Sequence, residues 1–177
     1  NGDGKNDVLI SPREEYPAKS SSIEFDLFLG NNFSNSIPDK KILIPTDSTT
    51  SYFKRCRIDM RGDVNGDGCA DLVASDFLHR TLKVIYGNKE LNSDVGFTVH
   101  KTGIKNFGIK VCNNGDFNGD GIDDIAVGAI NSPYDDKPGQ VHVFFGANQL
   151  KPDPDLILQD SFKFDQYSDQ VKFIGDL

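Results

Sequence analysis

Positive charge, cysteine and long apolar runs are all scarce in this chain, and each shortage excludes a class of protein. Lys and Arg number 19 against 27 Asp and Glu in 177 residues, a formal net charge of -8. Nucleic acids and anionic membranes are gripped by clustered Lys and Arg, so neither is an expected partner. Apolar runs are short, the clearest being Ile125 to Ile130, and a bilayer-spanning helix needs about 20 such residues. Cys56, Cys69 and Cys112 show no CxxC spacing, which argues against a zinc site or a disulfide scaffold and for small, partly buried side chains. The chain begins at Asn1 and its single Met is Met60. It is therefore read as a processed chain or a piece of a longer one, with any signal peptide or anchor outside it. Helical periodicity over ten or more residues is also missing, which excludes a helix bundle.

What the sequence has is an internal repeat. Asp63-Val-Asn-Gly-Asp-Gly-Cys-Ala-Asp71 and Asp116-Phe-Asn-Gly-Asp-Gly-Ile-Asp-Asp124 match closely. The chain opens on Asn1-Gly-Asp-Gly-Lys-Asn-Asp7, the same motif without its first two positions, and ends on Gly175-Asp176-Leu177, its beginning. Equivalent positions recur after 64, 53 and 60 residues (Asn1 to Asn65, Asn65 to Asn118, Asp116 to Asp176). Three units of similar length are implied, with further repeats expected on either side.

Each motif is followed by a short apolar run: Val8–Ile10, Leu72–Ala74 and Ile125–Val127. An alternating stretch closed by glycine comes next, at 23–30, 82–87 and 141–146. Period-two alternation of Val, Ile, Phe and Tyr marks half-buried strands. A third strand is expected at 41–44, 97–100 and 156–158, and a fourth, leading into the next motif, at 57–60, 109–112 and 171–174. Segments 11–20, 31–40, 46–51 and 132–139, rich in Ser, Asn, Asp, Pro and Lys, read as surface loops. Three four-stranded units at this period predict an all-β fold of propeller blades. The divisions are 1–50, from its loop to the end of one blade, then 51–105, 106–165 and the start of another at 166–177. Three blades leave two open stacks, so these residues alone are expected to form an incomplete, aggregation-prone arc.

The chemistry lies in the motif. Positions 1, 3, 5 and 9 supply side-chain oxygens and the carbonyl of position 7 another, the ligand set of a hard cation. Calcium tolerates the irregular geometry better than magnesium. Glycines at positions 4 and 6 permit the tight turn, and the carboxylates repel one another unless a divalent cation sits among them. A solvated Asn-Gly turn would need no ion, but the recurrence of the aspartate ring favours the metal. The loop is not an EF-hand, since position 12 is Ala74 or Val127, inside an apolar strand, where that loop places a bidentate Glu.

The loop followed by Asp124-Ile-Ala-Val-Gly-Ala129, with Phe107-Gly108 before it and Val141-His-Val-Phe-Phe-Gly146 after it, resembles the FG-GAP repeat of integrin α-subunit β-propellers. The resemblance covers the whole chain and is strongest over 106–146. It implies a seven-bladed propeller with calcium in hairpin loops on one face. Carried over to this sequence, Asp63, Asn65, Asp67, Cys69 (carbonyl) and Asp71 form one site. Asp116, Asn118, Asp120, Ile122 (carbonyl) and Asp124 form the second. Asn1, Asp3, Lys5 (carbonyl) and Asp7 are a third lacking its first ligand, and Asp176 begins a fourth. Phe53-Lys54 and Tyr167-Ser168 depart from Phe-Gly, and Ser75-Asp76 from Gly-Ala.

The implied role is a calcium-stabilised extracellular or cell-surface adhesion module. It would meet a protein or glycan ligand on the face away from calcium and rest on the remaining blades of its own chain. The alternative is an accessory propeller of a secreted enzyme, resembling glycosylphosphatidylinositol-specific phospholipase D or bacterial FG-GAP/VCBS proteins. No catalytic role is expected, because there is no HExxH, no GxSxG and no nucleophile–base pairing. Arg61-Gly62-Asp63 is an RGD tripeptide, but an Asp committed to an ion is not offered to a receptor. Asn32-Phe-Ser34 fits the N-glycosylation pattern. His142, between Val141 and Val143, reads as pointing outward, and Asp123 as solvated.

Overall fold

The computed structural model describes residues 2–10, 22–30, 37–45, 56–88, 95–130, 138–159 and 170–174. Eleven strands are assigned there: β1 (Val8–Ile10), β2 (Ser22–Phe28), β3 (Lys40–Pro45), β4 (Cys56–Asp59), β5 (Leu72–Asp76), β6 (Thr81–Ile85), β7 (Val95–His100), β8 (Phe107–Gly115), β9 (Asp124–Ala129), β10 (Gln140–Phe144) and β11 (Leu156–Gln159). They make three antiparallel sheets in simple up-and-down order: β1-β2-β3, β4-β5-β6-β7 and β8-β9-β10-β11. The protein is all-β, and no helix among the described residues is long and apolar enough to cross a membrane.

The sheets stack, and β5 shows why its sequence is apolar without interruption. Successive strand residues face opposite sides. Leu72 and Ala74 pack with Phe25, Leu9 and Ile42 of the first sheet. Val73 joins Val127, Ile125 and Phe107 of the third, and the Ser75 hydroxyl donates to the Gly108 carbonyl there (2.7 Å). A middle layer has no solvent face, so alternation gives way to a continuous apolar run. β9 follows the same logic and is buried along its whole length.

Two expectations fail. No strand forms at 171–174, where the chain runs irregularly. A ladder needs a partner, and Phe173 lies instead against the flank of β8, so close that a Cβ on Gly115 would stand 2.3 Å from its own. His142 is buried, 1% exposed. Its cross-strand partner Val127 faces the second sheet, and His142 shares that face, its ring edge-on to Phe107 at 5.5 Å. Of the expected loops, 11–20 and 46–51, most of 31–40 and most of 132–139 lie outside the described residues, as do Phe53-Lys54, Tyr167-Ser168 and Asn32-Phe-Ser34. Lys40, read as loop, opens β3. Cys69 and Cys112 are free and buried.

Candidate metal centre

The two complete loops are wired alike, bond for bond. Asp63 Oδ1 accepts from the amides of Gly66 (2.8 Å) and Asp67 (3.0 Å), and its Oδ2 from Gly68 (2.7 Å). Asp116 does the same for Gly119 (2.7 Å), Asp120 (3.0 Å) and Gly121 (2.8 Å). One aspartate thus gathers three successive amides, which forces a turn too tight for ordinary backbone. Gly66 and Gly68 take φ of 75° and 87°, Gly119 and Gly121 77° and 89°, angles that glycine adopts without a Cβ penalty.

Positions 3 and 5 clasp each other. Asn65 donates its amide to Asp67 Oδ2 (2.9 Å) and accepts the Asp67 N–H (2.9 Å); Asn118 and Asp120 repeat this at 2.8 and 2.9 Å. Asp67 and Asp120 then accept the N–H of Cys69 (2.8 Å) and Ile122 (2.9 Å). The partial first loop keeps the portion of this pattern that it contains, with the Lys5 N–H on Asp3 Oδ1 (2.9 Å).

Position 9 works differently. Asp71 and Asp124 are fully buried. Asp71 accepts from the amides of Val64 (2.8 Å) and Gly87 (2.7 Å), and Asp124 from Phe117 (2.7 Å) and Gly146 (2.8 Å). In the first loop Asp7 likewise takes the N–H of Gly30 (2.9 Å). This explains the glycine that closes each alternating strand. A Cβ on Gly30, Gly87 or Gly146 would come within 2.3, 2.2 or 2.3 Å of the loop carbonyl beside it. Burial pushes the Asp71 carboxyl up to about 7 against the pull of its two amide bonds, and the negative charges of Asp67 and Asp63 push the same way. Asp124 is raised for the same reasons, burial first, with Asp120 adding to it.

Among the described residues no three Asp, Glu, His or Cys side chains converge tightly enough to enclose an ion. The loops are closed on their own amides. Their donor chemistry nonetheless fits a hard divalent cation: every candidate donor is oxygen, and the charges of Asp63 and Asp67 oppose that of Asp71, as Asp120 opposes that of Asp124, a repulsion that a cation relieves. Asn1 and Asp176 lie outside the described residues.

Residues not singled out as ligands join one loop to the next. Asp123, read as solvated, accepts the Asp63 N–H on Oδ2 (3.0 Å) and gives its own N–H to the Asp63 carbonyl (3.2 Å). Asn113 is fully buried between the second and third sheets. The RGD tripeptide is not presented as a ligand. Arg61 forms two 2.9 Å bonds to Asp59, Gly62 accepts from the Asp71 amide (2.7 Å), and the Asp63 carboxylate serves its own loop.

Residues 113–144, from the end of β8 through the loop and β9 to β10, match the FG-GAP repeat family. The chain is 36% identical to human integrin alpha-6 over 116 residues, 60% of this chain and 10% of that protein. It therefore spans about a tenth of the length of the curated relative that it matches. The repeated acidic loop, the glycine-closed strand and the stacked antiparallel sheet lie in and around this match: over 113–144 the chain carries an FG-GAP repeat.

Proposed function

We propose that this chain is part of a calcium-stabilised β-propeller, seven-bladed as in integrin α-subunits, that serves outside the cell as a recognition or adhesion module. The repeat and the integrin likeness point to a non-enzymatic module. The observation that carries the reading is the identical wiring of the acidic loops beside one another in successive stacked sheets. The three sheets correspond to blades divided at 1–50, 51–105 and 106–165, with another beginning at 166–177.

One ion would be held by Asp63, Asn65, Asp67, Asp71 and the Cys69 carbonyl, and another by Asp116, Asn118, Asp120, Asp124 and the Ile122 carbonyl. Asn1, Asp3, Lys5 and Asp7 belong to a third such loop and Asp176 to a fourth. Calcium would supply charge neutralisation and a rigid loop rather than chemistry. Extracellular calcium modules bind at roughly 10⁻⁴ to 10⁻³ M, matched to millimolar calcium outside cells. At tenfold excess over the dissociation constant each filled loop adds about 1.4 kcal/mol. A protein or glycan partner would dock on the face away from these loops, in an extracellular or cell-surface setting.

Equilibrium dialysis at millimolar calcium tests the ions, and melting curves with and without EDTA test their contribution to stability. Asp67→Ala and Asp120→Ala should each remove one bound ion and part of the EDTA-sensitive shift. A chain that binds no calcium and melts identically in EDTA refutes the reading.

A further inference from the structure

The backbone of Asp63 is held by a residue of the neighbouring loop, with consequences for how the two loops fill. Asp123 lies between Ile122 and Asp124, two members of the second candidate ligand set. Its N–H donates to the Asp63 carbonyl (3.2 Å), and its Oδ2 accepts the Asp63 N–H (3.0 Å). The grip is reinforced on both sides. The Val64 carbonyl accepts the N–H of Ala147 (3.0 Å), which follows Gly146, itself bound to Asp124. A Cβ on Gly66 would meet the Ile122 side chain at 3.4 Å, and one on Gly62 would meet the Asp123 Cβ at 3.0 Å. The segment 122–124 therefore cannot shift without displacing the first residue of the loop before it.

We propose that Asp123 is a positioning residue that couples the two loops, so that calcium held by 116–124 raises the calcium affinity of 63–71. The inference rests on the calcium reading above. Coupling of this kind is reciprocal by linkage, and a pair of directly bonded segments is expected to carry about a five- to tenfold change in affinity. The repeat contains its own contrast. The residue equivalent to Asp123 in the preceding loop is Ala70, whose side chain accepts no hydrogen bond. The carboxylate half of the link is thus particular to the loop at 116–124 and not a feature of every repeat.

The test is calcium titration calorimetry on the whole chain. Asp120→Ala, which disables the second loop, should weaken binding at the first about five- to tenfold. In an Asp123→Ala background, which loses the carboxylate bond to the Asp63 N–H and keeps the backbone bonds, the same substitution should weaken the first loop by a clearly smaller factor, whereas Asp123→Asn, which keeps an oxygen acceptor, should preserve the effect. A loss at the first loop that is equal with and without Asp123→Ala overturns the coupling while leaving calcium binding intact. No calcium uptake by the unmodified chain overturns both readings. Should Asp123→Ala fail to fold, the amide resonance of Asp63 in the Asp67→Ala chain decides. It should move as calcium fills the second loop, and an unmoved resonance refutes the coupling.

Discussion

Asn113, three residues before Asp116, reaches back from the third sheet to the second; Met60, three before Asp63, reaches back from the second to the first. The asparagine is fully buried and uses both ends of its side-chain amide and its own N–H: Oδ1 accepts the Arg61 N–H (3.3 Å), Nδ2 donates to the Asp71 carbonyl (2.9 Å), and its N–H donates to Asp59 Oδ2 (3.3 Å). Arg57 Nε adds a bond to the Ile109 carbonyl (3.3 Å). The methionine packs against the buried cluster of Phe25, Leu72, Ala74 and Ile85 and, with Ile42, lines a cleft of about 810 Å³ whose walls include Lys5, Asp7, Leu27 and Tyr86. One junction is locked by directional bonds and the other is joined by apolar contact, which is not directional. Residues shared by the repeats build loop and strand. Those that differ, Asn113 against Met60 and Asp123 against Ala70, decide how firmly neighbouring sheets are fastened.

The locked junction should break most completely at Gly62. A Cβ there would lie 1.4 Å from the Asn113 carbonyl oxygen, and backbone cannot yield as a side chain does. Gly62→Ala should cost more than about 4 kcal/mol, or leave no cooperative unfolding transition at all. Gly68→Ala is the control: its φ of 87° is strained for alanine, but nothing lies within 4 Å of the new methyl, so it should cost about 1 kcal/mol. Urea denaturation of the two variants separates crowding from backbone strain. Equal costs would mean that the sheets do not approach as closely as described.

The difference between the junctions is sharpened by Asn113→Leu and Met60→Leu. The first strands the Arg61 N–H and the Asp71 carbonyl without partners and should cost about 2–4 kcal/mol. The second exchanges one apolar side chain for another of similar volume and should cost less than about 1.5 kcal/mol. Hydrogen exchange should accelerate at Arg61 in the first variant alone. Similar stability losses in both would remove the distinction between a locked and an apolar junction.

The strands and loops were legible because their signals are local. Period-two alternation marked β6 and β10, and acids at fixed offsets from glycines marked the two complete loops whose wiring is now described. Nothing local announces a partner in another sheet. Arg61 and Asn113 are 52 residues apart and Asp63 and Asp123 60 apart, so Asp123 could not be told from a solvated acid. His142 failed for a related reason. Alternation separates inside from outside only when one face of a sheet meets water, and β10 buries His142 and its neighbour Val143 alike. The sequence signal for 171–174 was equally real, but a strand exists only where a partner strand is aligned with it.

The effect that is smallest at neutral pH lies within the third sheet, at His142. Its Nε2 donates to Gln140 Oε1 (3.2 Å), while Nδ1 is buried without a partner among the described residues. Burial, with a smaller push from the charge of Lys101, lowers its pKa to about 4 from 6.5; Lys101 is in turn paired with Asp153 (3.0 Å). Above pH 6.5 neither the folded nor the unfolded chain protonates this ring, so it costs nothing there. Between pH 6.5 and 4 the unfolded chain takes the proton first, and stability falls as pH falls, by on the order of 2 kcal/mol at pH 5. His142→Leu should be neutral or slightly stabilising at pH 7.5, since it removes an unpartnered buried nitrogen, and its advantage should grow toward pH 5. Asp71, raised to about 7 by burial, favours the folded state as pH falls, yet it is present in both chains and cancels in their difference. Thermal denaturation of the pair at pH 7.5 and 5.0 measures that difference directly. A pH-independent difference would mean that the imidazole is protonated within the fold.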